Sequence, residues 1–267
     1  MNGINSKGEL CHWRVVSASV SGTSHERRGQ PCQDAYYWKI LPEDVLVAAV
    51  ADGAGSAALG EVGASVAAQT AVETVCAHNV KLRSLSDDEG WQSLVANALK
   101  TAQMAVEAEA FSRQVNVRDL ATTLILVVAT PELVAAVQVG DGAAVLGDSQ
   151  EHIVALTVPQ SGEYINETTF LVSPDAVETA QVTVWHGTTA YIALFSDGLQ
   201  ALALKMPEGT PHAPFFSPLF RFVEGTTDKT KAQEQLVTFL RSPRVTERTD
   251  DDLTLLLATF SSKEIQQ

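Results

Sequence analysis

Strand-like and helix-like segments are segregated along this chain of 267 residues, and that order removes most layered architectures from consideration. β-Branched and apolar runs come first, at Trp13–Val20, Ala35–Ile40 and Val45–Ala51, with a turn at Leu41-Pro42-Glu43-Asp44 between the last two. Val45–Ala51 is apolar throughout, as expected of a strand buried on both faces. Two long helices follow. The first spans Leu59 to His78 and is rich in Ala and Val. The second opens at Ser86-Asp87-Asp88-Glu89, which reads as a capping box, and runs to Arg113 with Trp91, Leu94, Val95, Ala98 and Leu99 at helical spacing.

Strands return at Thr122–Ala129, Leu133–Val139, Ala143–Leu146 and Ile153–Thr157, followed by a polar loop or flap from Pro159 to Thr169. Val182–Trp185 and Ala190–Ser196 read as a strand pair around His186-Gly187-Thr188-Thr189. A short helix is expected at Leu199, a Pro-rich loop over Pro207–Pro218, a helix over Lys229–Arg241 and a last strand over Leu253–Phe260. Such segregation predicts α+β layers, not a doubly wound parallel sheet. No linker is long enough to divide the chain, so residues 1–267 read as one domain with a core over about 13–260.

Composition narrows the function. With 45% hydrophobic and 19% charged residues the chain is too apolar for disorder. Eighteen Lys and Arg against 32 Asp and Glu give a net charge of −14, which argues against a nucleic-acid binder. Cys11, Cys32 and Cys76 show no CxxC spacing, which argues against a zinc site or a disulfide framework and for a reducing, cytoplasmic location. Met1 to Arg14 has no apolar signal core. Leu120–Val139 is interrupted by Thr122, Thr123, Thr130, Pro131, Glu132 and Gln138, so it reads as two strands and a turn instead of a membrane span.

The chemistry lies in carboxylates at strand ends. Asp34 opens one strand, Asp52 ends Val45–Ala51, Asp141 follows Val137-Gln138-Val139-Gly140, and Asp197 follows Tyr191–Ser196. Asp250, Asp251 and Asp252 immediately precede the last strand. Each of Asp52-Gly53, Asp141-Gly142 and Asp197-Gly198 is, alone, a turn signal. Converging, these carboxylates would repel one another unless hard divalent cations lay between them. Gly after Asp permits the backbone angles that expose its own carbonyl.

The stretches Ser24-His25 through Gln33-Asp34-Ala35, Val50-Ala51-Asp52-Gly53-Ala54-Gly55, Ala121-Thr122-Thr123-Leu124, Val139-Gly140-Asp141, Phe195-Ser196-Asp197-Gly198 and Asp251-Asp252-Leu253-Thr254 resemble, in order, the motifs of the metal-dependent protein Ser/Thr phosphatases, the type 2C protein phosphatases, in a bacterial stand-alone branch. The resemblance covers Ser21 to Phe260. It implies a four-layer α-β-β-α sandwich with two central antiparallel β-sheets flanked by helices. It also implies hydrolysis of phosphoserine and phosphothreonine by direct attack of a water bridging two Mn²⁺ or Mg²⁺ ions. By motif, Asp52 would bridge both metals with the Gly53 carbonyl, Asp197 and Asp251 would hold the first metal, Asp34 the second, and Asp141 a third, weaker one. Asp52 and Asp197 are thus the catalytic pair, while Asp250 and Asp252 read as supporting or solvent-facing. The implied partners are a phosphoprotein substrate and a cognate Ser/Thr kinase, with no nucleic acid and no membrane, and the chain acting as a monomer.

Two positions depart from the pattern. Gln33 stands where the family usually carries Glu, and Ala54 where many animal members carry a His proposed as general acid. His25 is the nearest replacement acid in sequence, with a capping or loop-packing role as the alternative. The family's phosphate-binding Arg, counted position by position before Asp34, falls on Gly29, with Arg27 and Arg28 just before it; Arg28 is the candidate if the loop is one residue longer, against a solvated surface role for either Arg. Cys32 reads as packing, and Thr122 and Thr123 as strand formers making local hydrogen bonds. A nucleotide-binding reading of Asp52-Gly53-Ala54-Gly55-Ser56 fails because no Lys-Ser/Thr follows and the glycine spacing misses GxGxxG. The competing reading that survives is a weak or inactive phosphatase-like domain that binds phosphoproteins or regulates a partner kinase.

Overall fold

The computed structural model describes residues 3–4, 10–78, 82, 85, 87–150, 152–160 and 168–263. In chain order the strands are β1 (Gly3–Ile4), β2 (Leu10–Val20), β3 (Asp34–Leu41), β4 (Val45–Asp52), β5 (Leu124–Ala129), β6 (Leu133–Val139), β7 (Ala143–Gly147), β8 (Ile153–Ala155), β9 (Gln181–His186), β10 (Tyr191–Phe195), β11 (Leu204–Lys205), β12 (Thr210–Pro211) and β13 (Leu253–Lys263). The helices are α1 (Thr23–Arg28), α2 (Gly60–Ala77), α3 (Asp88–Arg113), α4 (Ala176–Thr179), α5 (Gln200–Ala203), α6 (Ala213–Glu224), α7 (Lys229–Leu240) and α8 (Pro243–Thr246).

Two antiparallel sheets carry the fold. One has the order β3-β4-β5-β6-β9, the other β1-β2-β13-β10-β7-β8. The two-residue period of β4 shows why they stack. Leu46, Ala48 and Val50 enter an inter-sheet core with Val15, Ile192, Leu194 and Leu256. Val47, Ala49 and Ala51 point the other way, onto α2 and α3 through Ala64, Ala68, Val72, Val95 and Leu99. On the far side Val16, Phe195, Leu255 and Leu257 pack against Phe216 and Phe220 of α6 and Leu236 and Leu240 of α7. The layers are therefore α-β-β-α, as the sequence order and the motif resemblance imply.

Three local expectations need correction or completion. Val182–Trp185 and Ala190–Ser196 do form strands, but not a pair. β9 joins β6 in one sheet, whereas β10 lies between β7 and β13 in the other. Gly187 N–H donates to the Glu132 carbonyl and Thr189 N–H to the Pro131 carbonyl, both at 2.9 Å, which pins the connection to the β5–β6 turn as the chain changes sheets. Pro207–Pro218 is not all loop. Helix α6 begins at Ala213 with a Pro in its first turn and contains Pro218. Phe216, Phe220 and Val223 recur at i, i+4 and i+7, and their burial outweighs the single backbone hydrogen bond that Pro218 forfeits near the helix start. Helix α3 is capped by Asp87, whose side chain accepts from Gly90 N–H at 2.8 Å, while Ser86 lies outside the described residues, as does most of the Pro159–Thr169 stretch.

Helix α2 presses on the segment that leads into β5. A Cβ added at Gly63 would stand 2.1 Å from the Leu120 carbonyl oxygen, whereas one added at Gly55 meets nothing within 4 Å. Gly63→Ala is therefore expected to destabilise the fold by about 1–3 kcal/mol through overpacking, and Gly55→Ala by no more than about 0.5 kcal/mol. Urea unfolding of both variants checks this, and equal midpoints would contradict the packing described.

Candidate active site

Antiparallel register brings the first two carboxylates together. Asp34, the first residue of β3, is directly opposite Asp52, the last of β4. The Asp52 main chain is held by the neighbouring Thr pair: Asp52 N–H donates to Thr123 Oγ1 at 3.0 Å. Its carbonyl accepts from Thr122 Oγ1 at 2.9 Å and from Thr123 N–H at 2.8 Å. The expected local hydrogen bonds of Thr122 and Thr123 thus clamp one site residue.

The other sheet supplies Asp197 and Asp251. Asp197 follows β10 and opens a single 3₁₀ turn, and Asp251 stands two residues before β13. Ser196 joins the two sheets: its hydroxyl donates to Asp34 Oδ2 at 2.7 Å and accepts from Thr254 N–H at 3.0 Å. Thr254 Oγ1 also contacts Asp34 and shares a hydrogen bond with Ser19. Asp141 sits beside this group, near enough to raise Asp197. Its Oδ2 accepts from Thr168 Oγ1 at 2.6 Å, and its carbonyl accepts from the Gln200 amide.

The glycines after these aspartates serve close approach. None of Gly53, Gly142 and Gly198 is among the positive-φ residues, contrary to the expectation of unusual backbone angles. A Cβ at Gly53 would lie 2.4 Å from the Gly60 carbonyl carbon, at Gly142 2.6 Å from the Phe195 oxygen, and at Gly198 2.2 Å from the Asp252 oxygen.

The electrostatics are those of crowded anions. Burial raises Asp34 to about 7, with Asp252 and Asp197 adding to the rise and the Ser196 and Thr254 hydroxyls opposing it. Asp52 keeps some exposed surface at the mouth of the site. Its dense surroundings nonetheless push it well above the carboxylate range, chiefly by burial and then by Asp34 and Asp197. Burial lifts Asp197 to about 6, with Asp141 and Asp251 adding to the rise and the neighbouring Asp52 carboxyl opposing it. Partial burial raises Asp251 as well. Among the described residues no Lys, Arg or His forms an ion pair with Asp34, Asp52 or Asp197, and Asp34 Oδ1 and Asp197 Oδ1 are buried without a hydrogen-bond partner.

Buried carboxylate oxygens with no donor fit hard divalent cations. Among the described residues no three His, Cys, Asp or Glu side chains already surround one point as a ready ligand set.

A protein phosphatase 2C family model matches residues 21–241. The chain belongs to the protein phosphatase 2C family. It is 37% identical over 255 residues to serine/threonine-protein phosphatase 3 of Escherichia coli (strain K12), covering 93% of this chain and 99% of that protein. A bacterial serine phosphatase crystal structure superposes with a TM-score of 0.65 at 16% identity, covering 94% of this chain and 99% of that one. The Staphylococcus aureus serine/threonine phosphatase Stp1 gives a TM-score of 0.61 at 15% identity, over 92% and 94% of the two chains, so these structures confirm the fold. The family and the relative make this chain a PP2C-type serine/threonine phosphatase.

The remaining residues singled out from the phosphatase motifs fall around this group. Arg28 is exposed at the end of α1, next to Gly29 in the left-handed region. His25 is buried, with Nδ1 2.9 Å from Asp252 Oδ2 in a contact whose angle falls short of a hydrogen bond. Gln33 turns its amide to the Ala57 carbonyl at 3.1 Å. Ala54 packs in a small apolar patch with Ala57 and Ala121. Cys32 has its thiol pushed up by burial, which suits packing and not redox chemistry. Of the two roles open to Asp252, supporting or solvent-facing, burial to 2% exposure excludes the second. Sequence reasoning passed over the hydroxyls of Ser19, Ser196 and Thr254. The available signal was small polar residues abutting acids at buried strand ends.

Carboxyls with raised pKa values hold protons more tightly folded than unfolded. Their favourable contribution is complete below the unfolded value near 4 and is lost as pH climbs through about 6 to 7. In chelator, Asp52→Asn should therefore raise the melting temperature by about 2–4 °C at pH 8 and by clearly less at pH 5. Calorimetric melts at the two pH values test this, and an unchanged or lowered melting temperature at pH 8 would rule out carboxylate repulsion as the dominant local strain.

Proposed function

We propose that this phosphatase acts on phosphoserine and phosphothreonine of proteins at a centre for two divalent cations, Mn²⁺ or Mg²⁺. The observation that carries the reading is the meeting of Asp34, Asp52, Asp197 and Asp251, from both sheets, with buried unpartnered oxygens on Asp34 and Asp197 and, among the described residues, no basic counter-charge on the first three. Asp52 and the Gly53 carbonyl would face both cations, Asp197 and Asp251 the first, Asp34 the second, and Asp141 a third, weaker one. When bound, such a pair lowers the pKa of a water between them and neutralises charge on the transferring phosphoryl group.

The chain's own groups do the rest. Thr122 and Thr123 fix the Asp52 backbone, and Ser196 and Thr254 orient Asp34 so that one oxygen stays available. Arg28, at the exposed end of α1, would grip the phosphate of the incoming side chain in a bidentate contact. Ala54 offers no proton to the leaving alkoxide, and His25, the nearest acid in sequence, is buried with Nδ1 facing Asp252, which favours its loop-packing role. The net charge of −14 supports a protein substrate over nucleic acid, and a cognate Ser/Thr kinase is the natural counterpart. No helix among the described residues is long and apolar enough to cross a membrane. We take the unit of action as a cytoplasmic monomer with one domain over residues 1–267.

The second reading, a weak or inactive domain that binds phosphoproteins or regulates a kinase, draws on Gln33, which brings no charge: its Nε2 donates to the Ala57 carbonyl and its Oε1 is buried without a hydrogen-bond partner. Metal-stripped protein should hydrolyse an aryl phosphate only after Mn²⁺ or Mg²⁺ is added. Asp52→Asn and Asp197→Asn should each lower kcat by about 100-fold or more. Turnover that persists in chelator would sink the two-cation reading. Folded protein that binds Mn²⁺ without turnover would favour the regulatory one.

A further inference from the structure

We infer that Asp252, facing His25, is a positioning residue that locks α1 and its basic end against Asp34 and Asp251. The inference rests on the two-cation reading of those two carboxylates. A carboxylate only 2% exposed is costly unless its oxygens are met by donors, and those of Asp252 are. Oδ1 accepts from Gly22 N–H at 2.7 Å, and Oδ2 accepts from Gln33 N–H at 2.6 Å while His25 Nδ1 lies 2.9 Å away.

Each partner leads to a different part of the site. Gly22 is the N-cap of α1, which ends on Arg27 and Arg28. Gln33 immediately precedes Asp34, and its carbonyl accepts from Gly53 N–H at 3.1 Å, next to Asp52. The Asp252 N–H itself donates to Asp251 Oδ1 at 2.8 Å, which sets the direction of that carboxylate.

The segment has no slack to absorb a loss. Ser24 N–H donates to the Asp250 carbonyl at 2.9 Å, and a Cβ on Gly22 would fall 2.2 Å from the Asp251 carbonyl carbon. One side chain thereby ties the loop after β2, the start of β3 and the approach to β13 into a single piece. His25 closes it from α1 and is 5% exposed, buried against Asp252.

A positioning role and a general-acid role for His25 differ in leaving-group dependence. A lost acid harms an alkyl phosphate far more than p-nitrophenyl phosphate, whose leaving group needs no proton. A displaced carboxylate or Arg harms both alike and weakens cation binding before any substrate is present. The test measures Mn²⁺ binding by calorimetry and kcat/KM on p-nitrophenyl phosphate and on a phosphoserine peptide, for Asp252→Asn, His25→Gln and the double variant. Asp252→Asn should weaken Mn²⁺ binding and lower kcat/KM by about 10-fold, equally on both substrates. The double variant should be no worse than Asp252→Asn alone, because the two side chains act as one unit. Unchanged Mn²⁺ binding in folded Asp252→Asn would overturn the inference, as would a loss in His25→Gln confined to the phosphoserine peptide. Should Asp252→Asn fail to fold by circular dichroism, His25→Gln decides alone on the same two readouts. Wild-type protein that binds no Mn²⁺ would instead overturn the two-cation reading beneath it, which separates the two failures.

Discussion

Mutual repulsion among crowded carboxylates, from the buried Asp34 to the exposed Asp251, is the constraint around which this molecule is organised. Asp34 and Asp52 face each other across one ladder, and Asp197 and Asp251 arrive from the opposite sheet. In a low-dielectric site such charges tolerate one another only with protons or cations between them. The surroundings hold the carboxylates in place without neutralising them. Their contacts come from neutral donors, such as the hydroxyls of Ser196 and Thr254 and the backbone N–H groups of Gly198 and Asp252, and no basic side chain pairs with Asp34, Asp52 or Asp197 among the described residues. A scaffold built on lysine or arginine counter-charges would be more stable without metal and would leave no place for it.

The architecture supplies that scaffold by simple periodicity. β4 is apolar on both faces because one face meets the second sheet and the other meets α2 and α3. That explains why Val45–Ala51 reads as a continuous hydrophobic run and why the polar residue that ends it, Asp52, is placed rigidly. The glycines that follow Asp52, Asp141 and Asp197 then let neighbouring backbones close in to contact distance.

Strand and helix positions were legible in the sequence because periodicity and turn residues are local properties. Leu133–Val139 matches residue for residue, and most other elements differ by one to three residues at an end. What local patterns hid was partnership. The alternation of Val182–Trp185 and of Tyr191–Phe195 announces strands, but nothing in either says that they belong to different sheets. Helix α6 was obscured by its prolines, since the apolar stripe of Phe216, Phe220 and Val223 acquires meaning only against β13 and β2. The strand-end aspartates stood out because a charge beside an apolar run is conspicuous. Asp252 was conspicuous in the same way, but its anchoring role was not, because its partners Gly22, His25 and Gln33 are more than 200 residues away in sequence.

β13 is the last strand among the described residues, yet it occupies an interior position between β2 and β10. During synthesis the six-stranded sheet therefore stays open along its middle until Leu253–Lys263 has been made and can pair. The β2 ladder, the approach that carries Asp251 and the floor of the inter-sheet core all close in that one event. A chain in which β13 has not yet paired holds Asp34 opposite Asp52 but lacks the anchored approach that carries Asp251, so the four carboxylates come together only once β13 is seated between β2 and β10.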